Sequence, residues 1–231
     1  MKLGISIAAF REKDIVPIIE QYQGVADRIV VSVSNKPWYG EYKADDTAQK
    51  ALTTGAVVIS REWEHEHEQR NDCMELLRDM DYVIVSHCDT WFTKADLRKL
   101  KEMDLTQRHY SCNTFTYWKD YDTVIYPYLS LPTILVRSDA TFKHILNIEN
   151  EEANPPVLDI TCHHVAWVKT DDEVKSKLAS YSHAEEIQDG WYDKVWKGWK
   201  PGMVDFGPTN PHDFQSTVKH TLPNEIRRRI V

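Results

Sequence analysis

Basic charge is scarce in this chain. Its 231 residues carry 28 Lys and Arg against 36 Asp and Glu, a formal net charge of −8. Wrapping nucleic acid needs clustered cations to neutralise phosphates, so a nucleic-acid partner is excluded. The one basic cluster, Arg227-Arg228-Arg229, reads as a solvated tail. Cysteines are few: Cys73, Cys88, Cys112 and Cys162, none at CxxC spacing. That excludes a structural zinc site and fits scattered, reduced, mostly buried thiols. No apolar run approaches the ~18 residues of a membrane span. The apolar start is too short for a signal peptide, and a charged helix follows it. The expected setting is therefore cytoplasmic.

What is present is an alternation of strand and helix. Leu3 to Phe10, Arg28 to Ser34, Ala56 to Ser60 and Tyr82 to Ser86 are short apolar runs, read as strands. Between them Ile15, Ile18, Ile19 and Tyr22, then Ala48, Ala51 and Leu52, then Cys73, Leu76, Leu77 and Met80 recur at helical spacing. The last pattern predicts a helix through most of Trp63 to Met80. Thr93 caps a further helix carrying Leu97 and Leu100. Such alternation builds an α/β fold with a mostly parallel sheet flanked by helices. Ligands then sit beyond the carboxyl ends of the strands, at Phe10-Arg11, Ser34-Asn35, Ser60-Arg61 and Cys88-Asp89.

The second half is less regular. Tyr110 to Trp118 and Thr133 to Arg137 read as antiparallel strands, and Ser138 as the cap of a short helix through Ile145. Val157 to Val168 is mixed and holds two adjacent histidines. Thr170 to Glu173 is a capping box before Val174 and Leu178. Gly198 to Phe214 has three prolines and is expected to be ordered or mobile; its stretch Lys200 to Gln215 is a candidate lid. Eight Trp and eleven Tyr suit a sugar-handling site, although core packing is the commoner use of such rings. The run Glu62 to Glu68 alternates Glu and His. Histidines two apart on a helix do not face each other, so it reads as a solvated face.

Two segments carry the chemistry. Gln69-Arg70-Asn71 leads into a helix, and Asp81-Tyr82-Val83-Ile84-Val85-Ser86-His87-Cys88-Asp89 follows it. Later come Cys162-His163-His164-Val165-Ala166-Trp167 and Lys177-Leu178-Ala179-Ser180-Tyr181-Ser182-His183. These runs resemble the GT-A glycosyltransferases, especially family 2-like members, over most of residues 1 to 185. Asp89 falls on the second Asp of the DxD metal motif, and His87 stands where the first would be. His164 and Trp167 match the late histidine run.

The resemblance implies a GT-A, Rossmann-like fold with a smaller antiparallel part in its second half. One domain over 1–231 would hold a nucleotide-sugar half at 1–105, an acceptor and metal half at 106–200 and a C-terminal tail at 201–231. It implies transfer of a sugar from a UDP- or GDP-linked donor to an acceptor hydroxyl, with inversion and with Mn2+ or Mg2+ as cofactor. Asp89 and His164 would hold the metal, because a departing diphosphate develops charge that a cation stabilises. Adjacent histidines on a strand face opposite ways, so His163 is read as structural, and His183 likewise. Ala9, Phe10, Arg11, Ser34, Asn35, Trp38 or Tyr39, Arg70 and His87 would line the donor. A carboxylate must take the acceptor's proton. Asp139, Glu149, Glu151, Glu152 and Asp159 qualify by position, with Asp159 favoured. The competing expectation is a non-catalytic protein that binds a nucleotide sugar or glycan. A nucleotidyltransferase would need a glycine-rich loop after the first strand, and Ala8-Ala9-Phe10-Arg11 is not one.

Overall fold

The computed structural model describes residues 1–37, 45–127, 133–144, 147–149, 155–180 and 184–230. The expected candidates Trp38, Tyr39, Glu151, Glu152 and His183 lie outside them. Twelve strands and six α-helices are described. They are β1 (Leu3–Ala9), α1 (Ile15–Glu20), β2 (Arg28–Ser34), α2 (Thr47–Thr53), β3 (Val57–Arg61), α3 (Glu66–Glu75), β4 (Tyr82–His87), β5 (Thr90–Trp91) and α4 (Lys94–Glu102) in the first part. β6 (His109–Trp118), β7 (Thr123–Tyr126), β8 (Thr133–Arg137), β9 (Phe142–His144), β10 (Asn147–Ile148), β11 (Val157–Trp167), α5 (Asp171–Ser180), β12 (Ser216–Lys219) and α6 (Asn224–Ile230) follow.

The main sheet runs β12-β7-β6-β8-β4-β1-β2-β3, with β11 joined to β6 and β5. β3, β2, β1 and β4 are mutually parallel. β8 runs antiparallel to β4 and β6, and β7 and β12 extend that antiparallel part. This is the α/β arrangement expected: a mostly parallel centre flanked by helices, with antiparallel strands in the second half.

Continuous apolar runs form the central strands because both faces are covered. Alternation sends Tyr82 and Ile84 toward a core shared with Ile15, Ile18 and Ile19 of α1. Val83 and Val85 point the other way, onto Cys73, Met74 and Leu77. The α3 side packs so closely that a Cβ on Gly4 would stand 2.9 Å from Leu77 Cδ2. Thr93 caps α4 as expected, its side chain accepting from Asp96 N–H. The Thr170–Glu173 capping box opens α5. All four cysteines are free thiols, with Cys88 the least buried.

Five local expectations are corrected. The helix expected through most of Trp63 to Met80 is regular only over Glu66–Glu75. The helix expected after Ser138 is instead a turn and strand β9, whose Phe142 backbone is clamped by Asn71. Residues 201–231, expected as a tail, supply β12 to the sheet edge and α6, whose Ile226 is buried in the core. Arg227 is no free tail charge: it pairs with Asp122 and lies over the Tyr121 ring. The rings of His65 and His67 do face each other, stacked at 5.3 Å. His65 is the N-cap of α3 with extended backbone, so helical geometry does not separate them.

Candidate functional site at the end of strand β4

Strands β1 and β4 pair up to Ala8 and His87, so the residues just past them share one end of the sheet. Asp89 follows β4. β5 returns at once and pairs with β11, setting His164 opposite Thr90 and His163 opposite Trp91. That register brings Asp89 Oδ1 to 3.4 Å from His164 Nε2. His164 Nδ1 meets Thr116 Oγ1 at 3.2 Å, which orients the ring. His163 turns inward, where Tyr117 Oη sits 3.0 Å from its Nδ1. Burial, reinforced by nearby His220, lowers its pKa to about 4.

Lys177 of α5 completes the pair, its Nζ 3.5 Å from Asp89 Oδ2. Burial pushes the Asp89 carboxyl up. The adjacent His164 and Lys177 outweigh that and hold it well below its ordinary value. Burial lowers the Lys177 ammonium, and Asp89 opposes the shift.

His87 and Arg70 form the neighbouring layer. Arg70 is 0% exposed. Its Nε and Nη2 reach Glu66 Oε1 at 3.1 and 2.5 Å, and Nη2 also lies 3.2 Å from His87 Nε2. A guanidinium can only donate, so His87 Nε2 accepts and the ring is neutral. Burial, and then Arg70, lower the His87 pKa to about 4. Arg70 Nη1 is buried and has no hydrogen-bond partner among the described residues. Glu66 belongs to the run Glu62 to Glu68 read as a solvated face, yet its carboxylate is largely buried against Arg70.

The strand-end candidates Ala9, Phe10, Arg11, Ser34 and Asn35 lie at the ends of β1 and β2. Gln69 Nε2 ties those ends together, donating to Ser32 O at 2.9 Å and Ala9 O at 3.5 Å. Ser34 Oγ donates to Lys36 O, and Asn35 Oδ1 accepts from Ser60 Oγ. Arg11 turns the chain with φ 48°, a conformation that non-glycine residues rarely adopt. Just beyond it, Glu12 lines a cavity of about 120 Å³ together with Cys88, Asp89, Tyr121, Lys169 and Glu173. Burial is the main cause that raises the Glu12 pKa to about 7, with Lys169 opposing and Asp89 adding.

Asp159 is not brought to this site. It lies five residues before His164 on β11, is 92% exposed and is held by Lys99 Nζ at 2.5 Å. The salt bridge lowers its pKa. Asp139 is likewise tied to Arg108 and Arg137. Glu12 and Lys177 are the site residues not singled out from sequence. Lys177 stands in a run that had drawn notice, whereas nothing around Glu12 distinguishes it from a surface helix cap.

The pair Asp89 and His164 suits a divalent cation in part. Their 3.4 Å separation is close to the spacing of roughly 3 Å between neighbouring ligands of a six-coordinate ion. Among the described residues no group of three or more His, Cys, Asp or Glu gathers to hold a metal. Asp89 and His164 alone would leave the other positions of a six-coordinate ion to groups from outside these two side chains.

No family model matches the chain, and no curated protein matches it. Solved structures do. A mannosyltransferase from Pyrobaculum calidifontis, PcManGT, in complex with GDP-Man and Mn2+, is 14% identical over 48% of this chain, with a TM-score of 0.38. Mannosyl-3-phosphoglycerate synthase from Rubrobacter xylanophilus is 14% identical over 89% of this chain and 79% of its own, with a TM-score of 0.48. S. aureus TarS is 14% identical over 80% of this chain, with a TM-score of 0.43. The chain spans 35% of the Pyrobaculum protein and 41% of TarS. These likenesses are of fold and assign neither donor, acceptor nor metal to this chain. No helix among the described residues is long and apolar enough to cross a membrane.

Proposed function

We propose that this protein is a glycosyltransferase that binds a UDP- or GDP-linked sugar at the ends of β1, β2 and β4 and transfers the sugar to an acceptor hydroxyl. One observation carries this: a fully buried guanidinium, Arg70, whose Nη1 has no partner among the described residues, meets His87, two residues before the Asp89 that pairs with His164 and Lys177. An orphaned buried donor is costly unless a ligand satisfies it, and a diphosphate oxygen is a fitting partner.

In the transfer, the bond between the anomeric carbon and the donor's phosphate oxygen breaks. The acceptor oxygen forms the new bond to that carbon, and its proton passes to a carboxylate. As a single displacement this inverts the anomeric centre. Arg70 and Lys177 present fixed positive charge where the leaving diphosphate gathers negative charge, without reorganisation. Neutral His87 orients Arg70. Asp89 and His164 would hold Mn2+ or Mg2+, which when bound supplies further charge stabilisation to the leaving group. The proton-accepting role goes to Glu12 in place of Asp159. Glu12 shares a cavity with Asp89 and its pKa lies near neutrality, as a base at neutral pH requires.

The neutral His87, standing where the family has a carboxylate, favours a second reading: donor binding without turnover. Calorimetric titration with UDP and GDP, with and without Mn2+, tests the common part. Absence of binding in every arm defeats both readings. Hydrolysis of UDP- and GDP-sugars with Mn2+ then separates the enzyme from the binder.

A further inference from the structure

The cavity of about 120 Å³ that holds Glu12 and Asp89 contains a cation with no task in the transfer so far, Lys169. Lys169 is half-buried and stands between the end of β11 and the start of α5. Its backbone neighbours are fixed on both sides. Val168 N–H donates to Val165 O at 3.1 Å, and Thr170 N–H donates to Glu173 Oε2 at 2.8 Å. Lys13 Nζ in turn pins Glu173, 2.5 Å from its Oε1. A hydrogen-bonded connection, and not a loose loop, thus carries Lys169 into the cavity wall.

Most other charges of the lining are committed. Asp89 faces His164 and Lys177, and Glu173 faces Lys13. The Lys169 ammonium forms no hydrogen bond or ion pair among the described residues. Asp14 also lacks an ion pair among them, and its N–H donates to Glu12 Oε1 at 3.1 Å. Of the charges that act on the Glu12 carboxyl, Lys169 is the strongest, ahead of Asp89 and Asp14. Cys88 and Lys177 feel the same ammonium. A ligand with a hydroxyl on Glu12 therefore enters a place where this cation outweighs either neighbouring carboxylate.

The chemistry of the lining selects the ligand. A half-buried ammonium without a partner carries a desolvation cost that an anionic ligand offsets through charge-assisted hydrogen bonds. Trp91, Tyr121, Val165, Val168 and Ile230 complete the wall and bring no competing carboxylate. The volume equals that of about four waters at ~30 Å³ each. It suits a compact headgroup that carries both a hydroxyl and an anion.

We propose that Lys169 determines acceptor specificity: it binds a carboxylate or phosphate monoester on the acceptor while the acceptor's hydroxyl faces Glu12. The role as acceptor site rests on the transferase reading; the anion site does not. Saturation-transfer NMR on the full chain tests it. The probes are D-glycerate and sn-glycerol 3-phosphate against glycerol and 2-amino-1,3-propanediol, each with and without UDP or GDP plus Mg2+. At least one anion should give a signal that survives saturating nucleotide, and the neutral triol and the amine should not. Glycerate alone marks a carboxylate acceptor, and glycerol phosphate alone a phosphate one. Lys169→Met should cut the signal about fivefold or more, and Lys169→Arg, which keeps the charge, should retain about half of it. Lys13→Met removes the cation already committed to Glu173 and should leave the signal within about twofold. No anion signal, an anion signal that nucleotide displaces, or equal signal from glycerol or the amine overturns the proposal. So does a loss in Lys169→Arg or Lys13→Met as large as in Lys169→Met. Nucleotide binding without a Lys169-dependent anion signal sinks this inference and leaves the transferase reading standing. A Lys169-dependent anion signal without nucleotide binding sinks the transferase reading and leaves an anion site.

Discussion

The Asp89 site and the tryptophan cluster lie on either side of Trp167 and are built on opposite principles. Four of the other seven tryptophans gather around Trp118, whose ring lies 5.7 Å from Trp167, 5.1 Å from Trp196 and 4.8 Å from Phe206. Polar atoms there are settled only in part: Trp191 Nε1 donates to Phe206 O and Trp196 Nε1 to Asp171, while Trp118 Nε1 and Trp199 Nε1 are buried without a hydrogen-bond partner among the described residues. Lys119 Nζ covers the Trp196 ring at 3.3 Å from its centroid. At the Asp89 site charge takes the place of aromatic packing. Arg70, His87, Lys177 and Glu12 are buried or half-buried groups with shifted titration or an open valence. Packed rings hold the second half of the chain together, whereas the Asp89 site concentrates buried and half-buried charge.

The sharpest break between the two is a double dissociation. Asp89→Asn should lower donor turnover roughly 10²–10³-fold and leave the thermal midpoint within a few degrees, because Asp89 lies at a strand end outside the core. Trp118→Ala should cost about 3–5 kcal/mol by cavity formation. Trp118→Phe should cost much less, since it also removes a buried N–H that has no partner. Activity and thermal melts on the three variants decide. Wild-type turnover in Asp89→Asn refutes the site, and a stable Trp118→Ala refutes the load-sharing role of the cluster.

Next comes Arg70. Arg70→Met keeps the side-chain length and removes the charge, so UDP or GDP affinity should fall about 10–100-fold. Glu66→Gln keeps Arg70 charged and should cost less than that. Equal losses in the two variants would mean that the ion pair, and not the guanidinium, organises the pocket.

His164 should tune the choice of metal. A nitrogen ligand favours a transition ion over calcium, so donor hydrolysis should run about tenfold faster with Mn2+ than with Ca2+. His164→Ala should narrow that ratio. Equal rates with the two ions in the unaltered protein would remove His164 from the metal assignment.

How far these residues were legible in the sequence follows from their physics. Asp89 and His164 were picked out by their resemblance to the metal motif and the late histidine run, and the pairing of β5 with β11 brings the two side chains to 3.4 Å. The central strands read cleanly because burial on both faces leaves uninterrupted apolar runs. Strand β12 and helix α6 did not, since β12 is a polar edge strand whose partner, β7, lies some ninety residues earlier. Asp159 misled because nearness to His164 along β11 was taken as nearness in space, whereas its side chain is exposed and bound to Lys99. Glu12 was illegible for the opposite reason. What marks it is the company of Asp89, Tyr121 and Lys169, which only the folded sheet assembles.

Glu12 gives the smallest effect and the cleanest sign. Its folded pKa of about 7 stands above the ordinary 4.5 of an unburied glutamate. The folded state therefore binds the proton more tightly than the unfolded chain does. The stability from that protonated carboxyl is fully present below about pH 4.5 and is lost as pH rises through 7. Glu12→Gln mimics the protonated form at every pH. It should melt about 2–5 °C above the parent protein at pH 8 and converge with it near pH 4. The same substitution should abolish the rising limb of donor turnover near pH 7, because an amide cannot accept the proton. A midpoint difference constant from pH 4 to 8 would show that Glu12 is not buried as a neutral acid. A pH-dependent midpoint with an unaltered rate profile would keep the burial and move the base elsewhere in the cavity.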